Sequence, residues 1–162
     1  KVIQEARHSI ALSTYIFDND IWGQRFSKAL GQAAARGLSV RVLIDDIGAR
    51  YSFPSICRVL KREGVTVARF MRSLKPWRFR YYNLRNHRKI LVADGKIGFT
   101  GGMNIRAGNV LEEKPNHPIQ DLHFRLDGPI VAEIQQIFAD DLAFTSGETL
   151  AGPKWFPRIG EL

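Results

Sequence analysis

Between Ser9 and Phe70 the sequence alternates apolar β-prone runs with segments of helical period, and that alternation restricts the first half of the chain to a layered α/β fold. Ser9 to Tyr15 is β-prone and apolar. Ile21 to Arg36 sets Trp22, Phe26, Leu30 and Ala33 at helical spacing, and Gly37 supplies the stop. Trp22 and Phe26 are read as core. Leu38 to Ile44 carries Val40, Val42 and Ile44 in a continuous apolar run, as a strand buried on both faces does. Pro54 suits the first turn of a helix reaching about Glu63, closed by Gly64, and Val65 to Phe70 is a third strand. This half of the sheet is expected to be mostly parallel. A chain of 162 residues supports one such core and not two.

Cys57 is the only cysteine, which excludes an internal disulfide and a Cys-based metal cluster. Its apolar neighbours Ile56, Val59 and Leu60 make it a small core residue. No apolar run reaches the roughly 18 to 20 residues of a membrane span. Lys1 to His8 reads as the end of an amphipathic helix, so residues 1–162 are expected to be a single module excised from a longer polypeptide.

After Phe70 the character changes. Met71 to Asn86 interleaves Arg72, Lys75, Arg78, Arg80 and Arg85 with Trp77, Phe79, Tyr81 and Tyr82, and holds no acid. It is either a solvated connection whose aromatics cap the core, or the rim of a pocket contacting anionic headgroups or a nucleic-acid strand. The net charge of +8 favours phosphate-rich partners without choosing among them. Two short strands follow, Arg88 to Ala93 and Lys96 to Thr100, joined by Asp94-Gly95, a two-residue hairpin signal because both turn positions need positive φ. A glycine-rich loop from Gly101 to Pro118, a strand over about Gln120 to Leu126 and a helix from Pro129 to Phe144 complete the chain, the helix carrying Ile130, Ile134, Ile137 and Phe138 on one face.

If Asp94 and Gly95 are the turn, Ala93 pairs with Lys96, Lys89 faces Thr100 and His87 faces Gly102. Alternation then gathers His87, Lys89, Gly102 and Asn104 on one face. Such a set can attack and hold a phosphoryl group: the imidazole as nucleophile, Lys89 against phosphate charge, Asn104 as hydrogen-bond donor. Gly101 and Gly102 would let backbone N–H groups approach the anion. Asp94 should lie about 20 Å from His87 along the strand, so its job is the turn. His87 then needs an orienting carboxylate from elsewhere, with Asp121 the first choice and Asp45 or Asp46 the weaker one. The Asp45-Asp46 pair otherwise reads as a strand-end turn feature, and His8, His117 and His123 as structural histidines.

The run Asn86-His87-Arg88-Lys89-Ile90-Leu91-Val92-Ala93-Asp94, followed by Gly101-Gly102-Met103-Asn104, resembles the His-x-Lys-x4-Asp-x6-Gly-Gly/Ser-x-Asn signature of the phospholipase D superfamily. Ser13-Thr14-Tyr15-Ile16-Phe17 and Gln120-Asp121-Leu122-His123-Phe124-Arg125 look most like bacterial cardiolipin synthase-type members. The resemblance spans the chain from the Ser9 strand to the Pro129 helix. It implies an α/β/α sandwich around a mixed β-sheet, with the site at the ends of central strands. It also implies a two-step exchange: a motif histidine forms a phosphohistidine, a second one protonates the leaving alcohol, and a glycerol hydroxyl or water resolves the intermediate. Carried onto this sequence, His87 is the nucleophile or its acid partner, Lys89, Gly102 and Asn104 form the phosphate site, Asp121 orients the imidazole, and no metal or cofactor is required. Many relatives have Ser at the Gly102 position, so that hydroxyl is absent here.

Because the family's site needs two motifs and this chain has one, the implied partner is a second module in the same polypeptide or a homodimer mate. The implied substrate is an anionic phospholipid, with peripheral contact at the bacterial inner membrane or a cytoplasmic location, and transfer between phosphatidylglycerol molecules or phospholipase D hydrolysis as the reaction. A nuclease of the same superfamily acting through His87 is the alternative enzyme. A basic scaffold binding nucleic acid or membrane through Met71 to Asn86 is the non-catalytic alternative.

Overall fold

The computed structural model describes residues 1–71 and 85–158. Its centre is β1 (Ser9–Thr14), all six residues of which are buried because it has a neighbour on each side and a layer on each face. β2 (Ser39–Asp45) and β3 (Thr66–Phe70) lie parallel to it, each reached through a helix, α2 (Ile21–Ala35) and α3 (Ile56–Arg62). On the other side of β1, β4 (Ile90–Ala93), β5 (Ile97–Gly101) and β6 (His123–Asp127) run antiparallel in succession, giving the order β3-β2-β1-β4-β5-β6. The sheet is therefore mixed, as expected.

Residues of β1 and β2 alternate between two cores. Ile10, Leu12, Val42 and Ile44 pack under α2, α3 and the short helix α1 (Val2–Glu5). Ala11, Leu43, Ile90 and Val92 pack under α4 (Ile130–Ser146), together with Trp155 from the closing segment. Helices on both faces complete the α/β/α sandwich. Asp20 caps α2, its carboxylate accepting from the N–H of Trp22 at 3.0 Å and of Gly23 at 2.9 Å. Trp22 is only partly buried, since its indole N–H donates to Glu113 at 2.9 Å. Pro54 precedes α3 rather than opening it, and Ser55 takes the cap position. The buried face of α4 is Val131, Ile134, Gln135, Phe138 and Leu142, while Ile130 and Ile137 point outward at 50% and 41% exposure. Residues 72–84, most of the basic-aromatic stretch, lie outside the described residues.

The hairpin departs from expectation by one residue. Asp94 and Gly95 do take positive φ, 56° and 65°, and Lys96 N donates to Ala93 O at 3.0 Å. The ladder nevertheless pairs Ala93 with Ile97 and Ile90 with Thr100, leaving Lys96 as an extra residue. The turn is held from both sides by the rest of the fold. A Cβ on Gly95 would collide with the Pro157 ring and the Trp155 carbonyl. The Asp94 carboxylate accepts from the backbone N–H of Arg7 at 2.8 Å, His8 at 2.7 Å and Ser9 at 2.9 Å. Asp94 thus ties the hairpin to the start of the central strand.

Losing a charged acceptor shared by three N–H groups should lower the unfolding free energy of Asp94→Ala by about 3 kcal/mol in urea denaturation. A loss below about 0.5 kcal/mol, the size of an ordinary surface substitution, would show that solvent serves those N–H groups equally well.

Candidate active site

The C-terminal ends of β1, β2 and β5 and the approach to β4 meet at one edge of the sheet, because β4 runs against β1 and β5. Residues 85–89 precede β4 and carry no ladder of their own, so His87 and Lys89 stand on an extended approach segment rather than inside the strand. The pairings foreseen for them, Lys89 with Thr100 and His87 with Gly102, are replaced by the shifted register. The two side chains still converge. The imidazole lies on the Tyr15 ring, centroids 4.0 Å apart at 30°, and the Lys89 ammonium is 5.5 Å from the centre of the same ring. Lys89 Nζ also donates to the His87 carbonyl at 2.7 Å. His87 is exposed, and Lys89 is partly buried.

Burial pushes the Lys89 ammonium below the usual lysine range, and the Asp121 carboxylate partly restores it. A phosphate arriving here would favour the charged form in the same direction. Asn104 is fixed by its oxygen, which accepts from Ile16 N at 3.0 Å, so the amide N–H groups are the part of the side chain able to serve an anion.

Gly101 and Gly102 serve a different purpose from the one expected. Gly102 N donates to Leu122 O at 2.8 Å, so this N–H faces β6 and not an anion. A Cβ on Gly102 would occupy the place of the Asp121 carboxylate, and one on Gly101 would strike Leu122 O and the His123 imidazole. The glycines let the Asp121–His123 segment close onto β5. Asp121 is exposed, accepts from its neighbour Leu122 N at 2.8 Å, and acts electrostatically on Lys89 and His123. Among the described residues the groups set against His87 are the Tyr15 ring and, through its own carbonyl, Lys89; Asp121 is not placed against the imidazole. Asp94 is in its turn.

His123 is more than a bland core histidine. Burial pushes its imidazole below the usual histidine range, Asp121 pulls it back up, and its Nδ1 is shut from solvent without a hydrogen-bond partner among the described residues. It shares with Lys89 and Asn104 the wall of a cavity of about 450 Å³ whose other sides include Leu12, Phe26 and Phe99.

Three contributors escaped the sequence reading. Tyr15 was legible as a strand residue only; its hydroxyl is held above the usual tyrosine range by burial, with Tyr51 and Asp45 adding to the effect. Asn86 is 3% exposed and accepts from Arg88 N at 3.0 Å, a local turn that Asn residues commonly make and that could have been anticipated. Asp141, on α4, accepts from Asn86 Nδ2 at 2.8 Å, a contact that no local pattern announces. Asp45 behaves as the strand-end turn residue, accepting from Ile47 N at 2.9 Å, and it also accepts from Asn86 N at 3.1 Å. Asp46 pairs with Arg50 and Arg69. Among the described residues no group of three His, Cys, Asp or Glu side chains is placed to hold a metal ion.

Residues 1–142 match the family described as "Cardiolipin synthase, PLD-like domain". The chain is 33% identical over 147 residues to cardiolipin synthase 1 of Bacillus cereus, covering 90% of this chain and 29% of that protein. It is 34% identical over 163 residues to cardiolipin synthase A of Pseudomonas fluorescens, covering 99% of this chain and 34% of that protein. It therefore spans about a third of the length of these curated relatives. Among solved structures, the phospholipase D family member Nuc from Salmonella typhimurium superposes with a TM-score of 0.60 at 20% identity, over 86% of this chain and 81% of that one, a likeness of fold.

Since Asp121 raises the His123 pKa against the effect of burial, Asp121→Asn should lower it further. The imidazole titration followed by NMR measures this, and an unchanged or raised pKa would mean that the carboxylate does not face His123.

Proposed function

The chain belongs to the cardiolipin synthase, phospholipase D-like domain family, and we propose that it is one of two modules of a longer phosphatidyltransferase, with His87 as nucleophile. The observation that carries this reading is the convergence of an exposed imidazole and a half-buried ammonium on one aromatic ring at a sheet edge. In the proposed reaction a ring nitrogen of His87 forms a bond to phosphorus of phosphatidylglycerol while the phosphorus–oxygen bond to the headgroup glycerol breaks. An imidazole from the second module or a second copy protonates that leaving oxygen. A hydroxyl of a second phosphatidylglycerol then attacks phosphorus, passes its proton to the same base and releases His87. The products are cardiolipin and glycerol.

Lys89 neutralises the phosphoryl oxygens, and the Asn104 amide donates to them. Asp121 is assigned to the ammonium, whose charged form it favours, and the orientation of the imidazole to stacking on Tyr15. The apolar cavity beside Lys89 and the charge of +8 support an anionic amphiphile met by peripheral contact at a membrane surface. Among the described residues no helix is long and apolar enough to cross a membrane. The same attack on a nucleic-acid phosphodiester is the alternative.

In the complete polypeptide, His87→Ala should reduce cardiolipin formation from phosphatidylglycerol vesicles by at least about a thousandfold, and Lys89→Ala by about a hundredfold. Turnover retained in His87→Ala would end the reading. Cleavage of single-stranded DNA by the wild type, with phosphatidylglycerol untouched, would transfer it to nucleic acid.

A further inference from the structure

His87 presents a mechanical problem. It sits on a segment without strand ladder, it is exposed, and its ring rests on Tyr15 alone among the described side chains, yet an attacking imidazole must be held to within a fraction of an ångström. The residues on either side of it resolve the problem. Asn86 is buried and fully engaged: its N–H donates to Asp45 Oδ2 at 3.1 Å, its amide donates to Asp141 Oδ2 at 2.8 Å, and its amide oxygen accepts from Arg88 N at 3.0 Å. Arg88 then returns to the same carboxylate, its guanidinium donating to the two Asp141 oxygens at 2.8 and 2.7 Å. His87 is thus the apex of a closed loop whose two feet, Asn86 and Arg88, stand on one aspartate of α4. Asp45, a buried carboxylate at the end of β2, fixes the loop from the other side.

We propose that Asn86 and Asp141 are a positioning pair for His87, setting the direction from which the imidazole meets phosphorus; this rests on His87 being the nucleophile. Neither residue touches substrate. Asp141 acts through Asn86 and Arg88, and it couples α4, on the opposite face of the sheet from α2, to the reacting edge. The pairing is directional: an amide must donate and a carboxylate must accept. Asn86→Asp therefore sets two carboxylates against each other, while the exchange Asn86→Asp with Asp141→Asn restores one donor and one acceptor with the charge unchanged.

The test uses the complete polypeptide and phosphatidylglycerol vesicles, with turnover normalised to folded enzyme. Asn86→Asp should lower kcat by about a hundredfold with KM within about twofold, as expected for a displaced nucleophile and not a lost binding contact. The exchange double variant should recover to within about fivefold of wild type, which a role in stability alone would not produce. Arg88→Ala, whose side chain is 52% exposed and whose loss leaves the core intact, should lower kcat about threefold to tenfold at unchanged melting temperature. This second variant decides the matter if Asn86→Asp does not fold. The proposal is overturned if Asn86→Asp keeps kcat within about twofold of wild type, if the exchange is no better than the single variant, or, where Asn86→Asp does not fold, if Arg88→Ala turns over like wild type. His87→Ala separates the two levels. Turnover surviving in it removes the nucleophile assignment and this pair together, whereas turnover lost in it but kept in Asn86→Asp removes only the pair.

Discussion

The site depends first on the antiparallel seating of β4 against β1. Ile10 faces Ala93, Leu12 faces Leu91 and Ser13 faces Ile90, all within the buried centre of the sheet. That register delivers the approach to β4 to the edge where Tyr15 follows β1 and β2 ends in Asp45. A slip of two residues would carry His87 and Lys89 about 7 Å along the sheet, and a slip of one would turn both to the other face. Asp94 guards against both, because its carboxylate holds three successive N–H groups at the start of β1. The motif aspartate and the motif histidine thus act at opposite ends of one short strand, the first fixing the register and the second using it.

The first half of the fold was legible because β1 and most of β2 are buried on both faces and its helices are followed by glycine, so hydrophobic period and turn chemistry agreed. Residues around His87 were legible by type and spacing but not by partner. The hairpin turn abuts Trp155 and Pro157, some sixty residues away, a contact that no local signal contains. Asp121 was foreseen as a carboxylate near the site, yet its neighbours are Lys89 and His123, because the side-chain-free Gly102 draws it onto β5. Ile130 and Ile137 point outward because the buried stripe of α4 runs through Val131, Ile134, Phe138 and Leu142. Tertiary closure decided which groups stand together at this end of the sheet.

Among the described residues, opposing electrostatic effects meet at Lys89. Lys89 is partly desolvated and balanced by Asp121, so its charged form is favoured most when phosphate is present. Burial alone would weaken the charged form, and Asp121 supports it. His87 stacks on the Tyr15 ring, and the residue before it is anchored by Asp45 and Asp141.

The measurement that bears most directly on this account is the identification of the covalent intermediate. The complete polypeptide is mixed with phosphatidylglycerol labelled in its phosphate, quenched in alkali, digested and examined by mass spectrometry. The account predicts an alkali-stable, acid-labile phosphatidyl adduct on the peptide that contains His87. A labelled adduct on a different residue, or catalytic turnover with no adduct at all, would contradict it.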